Sequence, residues 1–405
     1  MVDLGAFAGP ALRAAVPPFH VMDVLSAAGA RQRSHGDLVS LAAGQPSAPA
    51  PKPVLDAAEK ALRSGTLGYT EQLGVPELRD AVAGHYQRKY GLDVSARDVV
   101  MTTGSSGGFL LAFLSAFDPG ARVAMARPGY PAYRNLLSVL GCEVVEFATT
   151  AETNFQPTVA LLDELGPIDG LIVASPSNPT GTVLPPGELA AITGWCASHG
   201  VQLISDEIYH GVSYGAPPEA RFPAEGAWKQ LDCAWQFGRE PMVLGSFSKY
   251  FAMTGWRLGW MLVPQRLHRA VDVLTGNFTI CPPAVSQYAA IAAFTPEAYA
   301  EADAHVEHYR ANRDRLFAGL KGIGLDKLAP ADGAFYAYAD VSAHTEDSLS
   351  WCQRLLADTG LAITPGIDFD PVDGGKYVRF SFAGSAGDID EGVRRLGAWL
   401  GQGEP

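Results

Sequence analysis

The chain has 405 residues, 47% hydrophobic and 18% charged, which is long for one compact core and far from the composition of a disordered polymer. Its 30 basic residues are outweighed by 43 acidic ones, for a net charge of −13, and no run of Lys and Arg breaks that balance, which argues against nucleic acid as the main partner. The cysteines Cys142, Cys196, Cys233, Cys281 and Cys352 are widely spaced with no C-x-x-C pair, so neither a metal site nor a disulfide framework is expected, and a reducing cytoplasm is.

In chain order, the N-terminus lacks the basic and long apolar regions of a signal peptide. The first forty residues, rich in Pro and Ala, read as an arm with a short helix over 19–33. From Val99 onward, short apolar runs recur: VVMT (99–102), RVAMA (122–126), EVVEF (143–147), GLIVAS (170–175), VQLIS (201–205) and MVLGS (242–246). Helix-like stretches at 106–117, 131–140 and 187–198 separate them. Continuous apolar strands alternating with helices predict an α/β fold whose mostly parallel sheet is covered on both faces. The uncharged run Gly104 to Phe117 is too short to cross a bilayer, so no membrane partner is expected. A Pro-rich segment over 215–241 reads as a surface excursion, and beyond Trp260 a helical region leads to a second α+β unit.

Ligands of open α/β sheets bind outside the carboxyl ends of the strands. Polar and glycine-rich clusters follow five of the predicted strands: Thr103-Gly104-Ser105-Ser106, Arg127-Pro128-Gly129-Tyr130, Pro176-Ser177-Asn178, Asp206-Glu207 with Tyr209, and Phe247-Ser248-Lys249. Gly104-Ser105-Ser106 before a helix offers N–H groups and hydroxyls to a phosphate, although such turns are common and this one alone carries little weight. Ser246, Ser248 and Arg257 suit the same dianion. The chain holds only eight lysines, and Lys249 is the one that directly follows an apolar strand among small residues. In a desolvated pocket such a lysine can lose its proton and attack an aldehyde, whereas without its neighbours it would read as a side chain reaching for solvent.

The segment SFSKYFAMTGWRLGW (246–260) resembles the cofactor-lysine signature of the class I/II aminotransferases, fold-type I pyridoxal-phosphate enzymes, in which an arginine follows the lysine by eight positions, as Arg257 follows Lys249. Further blocks agree in family order: LAAGQPSAP (41–49), LGYTEQLGVPELRDAV (67–82), MTTGSSGG (101–108), RPGYPAY (127–133), SPSNPTGTV (175–183), SDEIYHG (205–211) and YVRFSF (377–382). The likeness is greatest to bacterial enzymes of the aspartate aminotransferase type. It implies pyridoxal 5′-phosphate held by Lys249 as a Schiff base, with Lys249 also moving the substrate proton. It implies that Asp206 pairs with the ring nitrogen, that Asn178 and Tyr209 meet the ring oxygen, and that Tyr130 stacks on the ring. Ser105, Ser106, Ser246, Ser248 and Arg257 would hold the phosphate, joined by Tyr69 from a neighbouring subunit of a homodimer. Arg379 would clamp the substrate carboxylate, assisted by Gly44 and Asn178. Residues 1–45 would form an arm and part of a small domain, 46–290 a large cofactor domain and 291–405 the small C-terminal domain.

The substrates implied are an amino acid and a 2-oxo acid, either 2-oxoglutarate or pyruvate. Aspartate-specific relatives supply a cation for the distal carboxylate, but the stretch 270–300 contains no Lys, Arg or His, and Ser105 and Ser106 stand where others carry a lysine. An unpaired buried carboxylate is costly, so a neutral aliphatic or aromatic donor is expected, with aspartate retained as an alternative because Arg13 or the excursion could supply the charge. A β-eliminating C–S lyase would use the same apparatus. A transcription-regulator domain would need a DNA-binding domain ahead of the family blocks, for which about forty residues leave no room.

Overall fold

The computed structural model describes residues 10–65, 67–185, 187–214 and 231–401; most of the expected 215–241 excursion, residues 215–230, lies outside them. The strands are β1 (Val39–Ser40), β2 (Val99–Thr102), β3 (Arg122–Arg127), β4 (Glu143–Ala148), β5 (Gly170–Ala174), β6 (Gln202–Asp206), β7 (Met242–Ser246), β8 (Gly259–Leu262), β9 (Tyr336–Asp340), β10 (Leu361–Ala362), β11 (Thr364–Pro365) and β12 (Tyr377–Ser381). Seven of them form one sheet in the order β2-β8-β7-β6-β5-β3-β4. β8 alone runs against its neighbours. Every residue of β2, β6, β7 and β8 is buried, as expected of strands covered on both faces.

β8 was not foreseen as a strand, and it matters for the site. The other six strands share one direction, so their carboxyl ends meet along one edge. An antiparallel strand starts where its parallel neighbours finish. Ser246, the last residue of β7, therefore pairs with Gly259, the first of β8, and Arg257 sits two residues before that pair, at the same edge.

The helix expected over 106–117 begins earlier, at Gly104, and runs to Ala116. Gly104, Ser105 and Ser106 are thus its first turn rather than a loop before it. The other predicted helices are found at His20–His35, Pro131–Leu140 and Glu188–His199.

A second sheet, β11-β12-β9, is antiparallel, with Arg379 opposite both Thr364 and Tyr338. β1 pairs in parallel with β10, and the Ser381 N–H donates to the Leu41 carbonyl at 2.6 Å. These bonds bind the segment before Gly44 to the C-terminal part of the chain. The helix His20–His35 has no side-chain cap at Phe19; instead the Asp368 carboxylate accepts from the His20 and Val21 N–H groups at 3.0 and 2.8 Å. The long helix Pro296–Gly322 buries Ala298, Ala302, Val306, Tyr309, Leu316 and Leu320, one apolar face at helical spacing. One core cluster runs from Val99 and Trp260 in the large sheet to Phe335, Val378 and Leu396, and a second gathers Val100, Phe109, Phe113, Leu244 and Met261. No described helix is long and apolar enough to cross a membrane.

Candidate active site

Lys249 follows β7 by three residues, and its ammonium donates to the carbonyl of Gly44 at 2.7 Å. The nitrogen lies 5.4 Å from the Tyr209 ring centroid and 5.8 Å from that of Phe335. Burial, reinforced by the positive charge of Arg379, pushes this lysine down to about 8, despite the counteracting charge of Asp206. A fraction of neutral amine is therefore present near neutral pH, which is what attack on an aldehyde requires.

Asp206 ends β6 and is 4% exposed. One carboxylate oxygen accepts from the Tyr133 hydroxyl and the other from the Ile208 N–H at 3.1 Å. Burial raises its pKa to about 6, against the pull of those bonds and of Lys249. A carboxylate so desolvated gains most from a cationic partner, such as a protonated ring nitrogen.

At the other end, the guanidinium of Arg257 lies over Gly104, where an added Cβ would come within 2.5 Å of it. Arg257 has a left-handed backbone (φ 52) and donates to the Thr254 carbonyl at 2.9 Å. Gly259 is pressed against the backbone of Gly104 and Ser105, so the start of β8 abuts the first turn of the helix. Ser246 accepts from the Ser248 N–H at 3.0 Å, and both serines are buried. Unpaired helix N–H groups, hydroxyls and a guanidinium together suit a phosphate dianion. Ser106 and Arg257 are exposed, so this end of the site opens to the surface of the single chain.

Arg379 is 3% exposed. It donates to Asn178 Oδ1 at 2.8 Å, the Ala42 carbonyl at 2.9 Å and Thr364 Oγ1 at 3.3 Å, all neutral oxygens, while its Nε–H is buried without an acceptor. Its guanidinium lies over the rings of Tyr336 and Phe369 at 4.4 and 4.8 Å. A buried cation with an unused donor invites an anion, and a carboxylate matches its fork.

Tyr209 and Tyr130 stand at the same edge. The Tyr209 hydroxyl is 2.7 Å from that of Tyr336. Tyr130 packs edge-on against Phe19 and Tyr133, and burial pushes its hydroxyl up to about 12. Tyr69 alone of the expected residues is not brought in: it is 83% exposed, on a loop pinned by Gln287, which donates to Thr70 Oγ1 and accepts from the Val75 N–H, each at 2.9 Å. Reading the sequence missed Tyr133 and Tyr336. Tyr133 lies inside the RPGYPAY block and could have been singled out there; Tyr336 gave no signal beyond an aromatic run in a strand.

A depressed lysine, a buried carboxylate, a cluster suited to a phosphate dianion and a buried arginine suited to a carboxylate thus gather at one sheet edge, a set that fits pyridoxal phosphate and an amino acid. Residues 36–396 match the model of the family described as aminotransferase class I and II. The chain is 62% identical over 391 residues to a valine–pyruvate aminotransferase of Mycobacterium tuberculosis, covering 96% of this chain and 98% of that one. A crystal structure of an aminotransferase from the same organism superposes with a TM-score of 0.93 at 61% identity, covering 98% and 100% of the two chains. The aspartate aminotransferase of Thermus thermophilus with maleate gives a TM-score of 0.89 at 31% identity, covering 97% and 100%. The chain belongs to the class I and II aminotransferase family. It is a pyridoxal-phosphate-dependent enzyme that moves an amino group from an amino acid to a 2-oxo acid.

Proposed function

We propose that the enzyme takes a neutral aliphatic amino acid as donor, with valine the first to try, and pyruvate as acceptor. The observation that carries the carboxylate half of this reading is Arg379, a buried guanidinium whose Nε–H has no acceptor. The neutral side chain is favoured by the rest of the site: Lys249, Arg257 and Arg379 each have a task, no cation occurs over 270–300, and Arg13 is exposed. Likeness to a valine–pyruvate aminotransferase points the same way.

When bound, the cofactor supplies an electron sink for the pair left on the substrate Cα. Lys249 would take the proton from the substrate Cα and deliver it to the cofactor carbon C4′. Asp206, fixed by Tyr133, would keep a proton on the ring nitrogen. Tyr209 and Asn178 would hydrogen-bond the ring oxygen, Tyr130 would stack on the ring, and Ser105, Ser106, Ser246, Ser248 and Arg257 would hold the phosphate. Arg379, with Gly44 and Asn178 beside it, orients the carboxylate.

The same reading includes a cytoplasmic homodimer in which Tyr69 of each chain completes the other's phosphate seat, and a small domain of residues 1–45 and 291–405 closing over 46–290. Support for the dimer comes from the exposed phosphate end and from Tyr69, Phe278, Ile280 and Tyr288, large apolar side chains left on the surface. A screen of amino donors against pyruvate and 2-oxoglutarate, read by the cofactor's spectral change, tests the substrate half. Valine with pyruvate should turn over fastest; aspartate with 2-oxoglutarate as the best pair would refute it.

A further inference from the structure

Tyr336 touches three parts of the site at once. Its hydroxyl is 2.7 Å from the Tyr209 hydroxyl and 3.4 Å from the Gly44 carbonyl, so its one proton can go to either, and that carbonyl also accepts from Lys249. Its ring carries the Arg379 guanidinium at 4.4 Å. The side chain is 1% exposed, and Gly44 makes room for it: an added Cβ there would stand 2.5 Å from the Tyr336 oxygen. The strand register explains the double contact. Tyr336 pairs with Ser381 and Tyr338 with Arg379, so Tyr336 and Arg379 are diagonal neighbours on one face of the small sheet.

We infer that Tyr336 is a positioning residue, its hydroxyl orienting Tyr209 toward the cofactor ring oxygen and its ring fixing the plane of Arg379 for the substrate carboxylate. The inference rests on the roles proposed above for Tyr209 and Arg379. A phenol has one proton to give. When Tyr209 spends its proton on the ring oxygen, the 2.7 Å contact is satisfied only with Tyr336 as donor. Tyr336 then makes Tyr209 a stronger donor, because hydrogen bonds in series polarise one another. The ring acts separately, since a guanidinium stacked on a buried aromatic face loses freedom to rotate. One residue of the small sheet thereby sets both the group that tunes the cofactor and the group that seats the substrate.

Holoenzyme of Tyr209→Phe, Tyr336→Phe and their double variant separates the hydroxyl role. The reading is the pH midpoint at which the bound cofactor changes its visible absorption. A hydrogen bond to the ring oxygen draws charge from it and lowers the proton affinity of the neighbouring nitrogen, so its loss raises the midpoint. Tyr209→Phe should raise it by roughly half to one pH unit, Tyr336→Phe by less, and the double variant no further than Tyr209→Phe alone. A midpoint unmoved by Tyr336→Phe while Tyr209→Phe shifts it, or additive shifts in the double variant, would overturn the inference and leave the site reading intact. No shift in Tyr209→Phe would overturn both. Tyr336→Leu, or Tyr336→Met should the first not fold, tests the ring: KM for the amino donor should rise roughly tenfold. Tyr336→Phe should lower kcat with little effect on KM, and an equal KM rise in the Phe and Leu variants would refute the separate role of the ring.

Discussion

The ammonium of Lys249 and the carbonyl of Gly44, 205 residues apart in sequence, meet at 2.7 Å. The bond joins the turn after β7 to the segment that follows β1, which pairs with β10 in the C-terminal part of the chain. The amine of Lys249 is thus held between segments far apart in the chain. Of the eight lysines, only Lys249 should be labelled when borohydride reduces the holoenzyme and the peptides are mapped. Lys249→Ala should keep the cofactor non-covalently and lose turnover by several orders of magnitude, because attachment and proton transfer go together. A labelled peptide around any other lysine would refute the assignment.

The cofactor-free enzyme should show two opposite pH dependences in its thermal unfolding. Lys249 falls to about 8 when folded, while an unfolded lysine titrates near 10.4. Between those values the unfolded chain binds more protons, so this group's contribution to stability rises with pH. Asp206 is raised to about 6 when folded against about 3.9 unfolded, so the folded chain binds more protons in that window and stability falls as pH rises. Lys249→Met should therefore melt above wild type at pH 7 with the gap narrowing toward pH 10. Asp206→Asn should remove the decline between pH 4 and 6. Parallel curves for variant and wild type would show that neither group is buried as described.

Much of this site was legible because function at a sheet edge is local in sequence. Asp206, Ser246 and Lys249 end or closely follow strands, and strands of continuous apolar residues are visible as such. β8 was not, because its first two residues lie inside the lysine motif, and its reversal is set by pairing with β2 and β7 rather than by composition. Tyr133 and Tyr336 were missed for a related reason. A tyrosine in a helix or strand reads as core until its hydroxyl partner, here Asp206 or Tyr209, is known to come from a distant segment. Tyr69, 83% exposed, was legible only through family resemblance.

A side chain at Gly104 should disturb the phosphate seat. The φ there is +70, and an added Cβ would stand 2.5 Å from the Arg257 guanidinium. Gly104→Ala should fold, since the residue lies at a helix start, but displace the arginine from the phosphate seat. A hydrogen bond to a charged group contributes about 1.5–3 kcal/mol, so the cofactor Kd should rise roughly tenfold to a hundredfold. Fluorescence titration of the cofactor-free variant measures it, and an unchanged Kd would separate Arg257 from the phosphate.

The last prediction concerns assembly. If Tyr69 of one chain completes the phosphate seat of the other, every active site draws on two chains. Tyr69→Ala and Lys249→Ala homodimers should each be poor enzymes. In a mixed dimer, the Lys249 of the Tyr69→Ala chain faces the intact Tyr69 of the Lys249→Ala chain, and that site is whole. The second site carries both lesions. Mixed dimers, purified through two different affinity tags, should regain about half of the wild-type activity per dimer, in proportion to one restored site of two. If each site is built within one chain, each mutant chain keeps its own lesion and mixing restores nothing. Sedimentation provides the independent check: the active species should be a dimer at assay concentration, and a fully active monomer would end the shared-site reading.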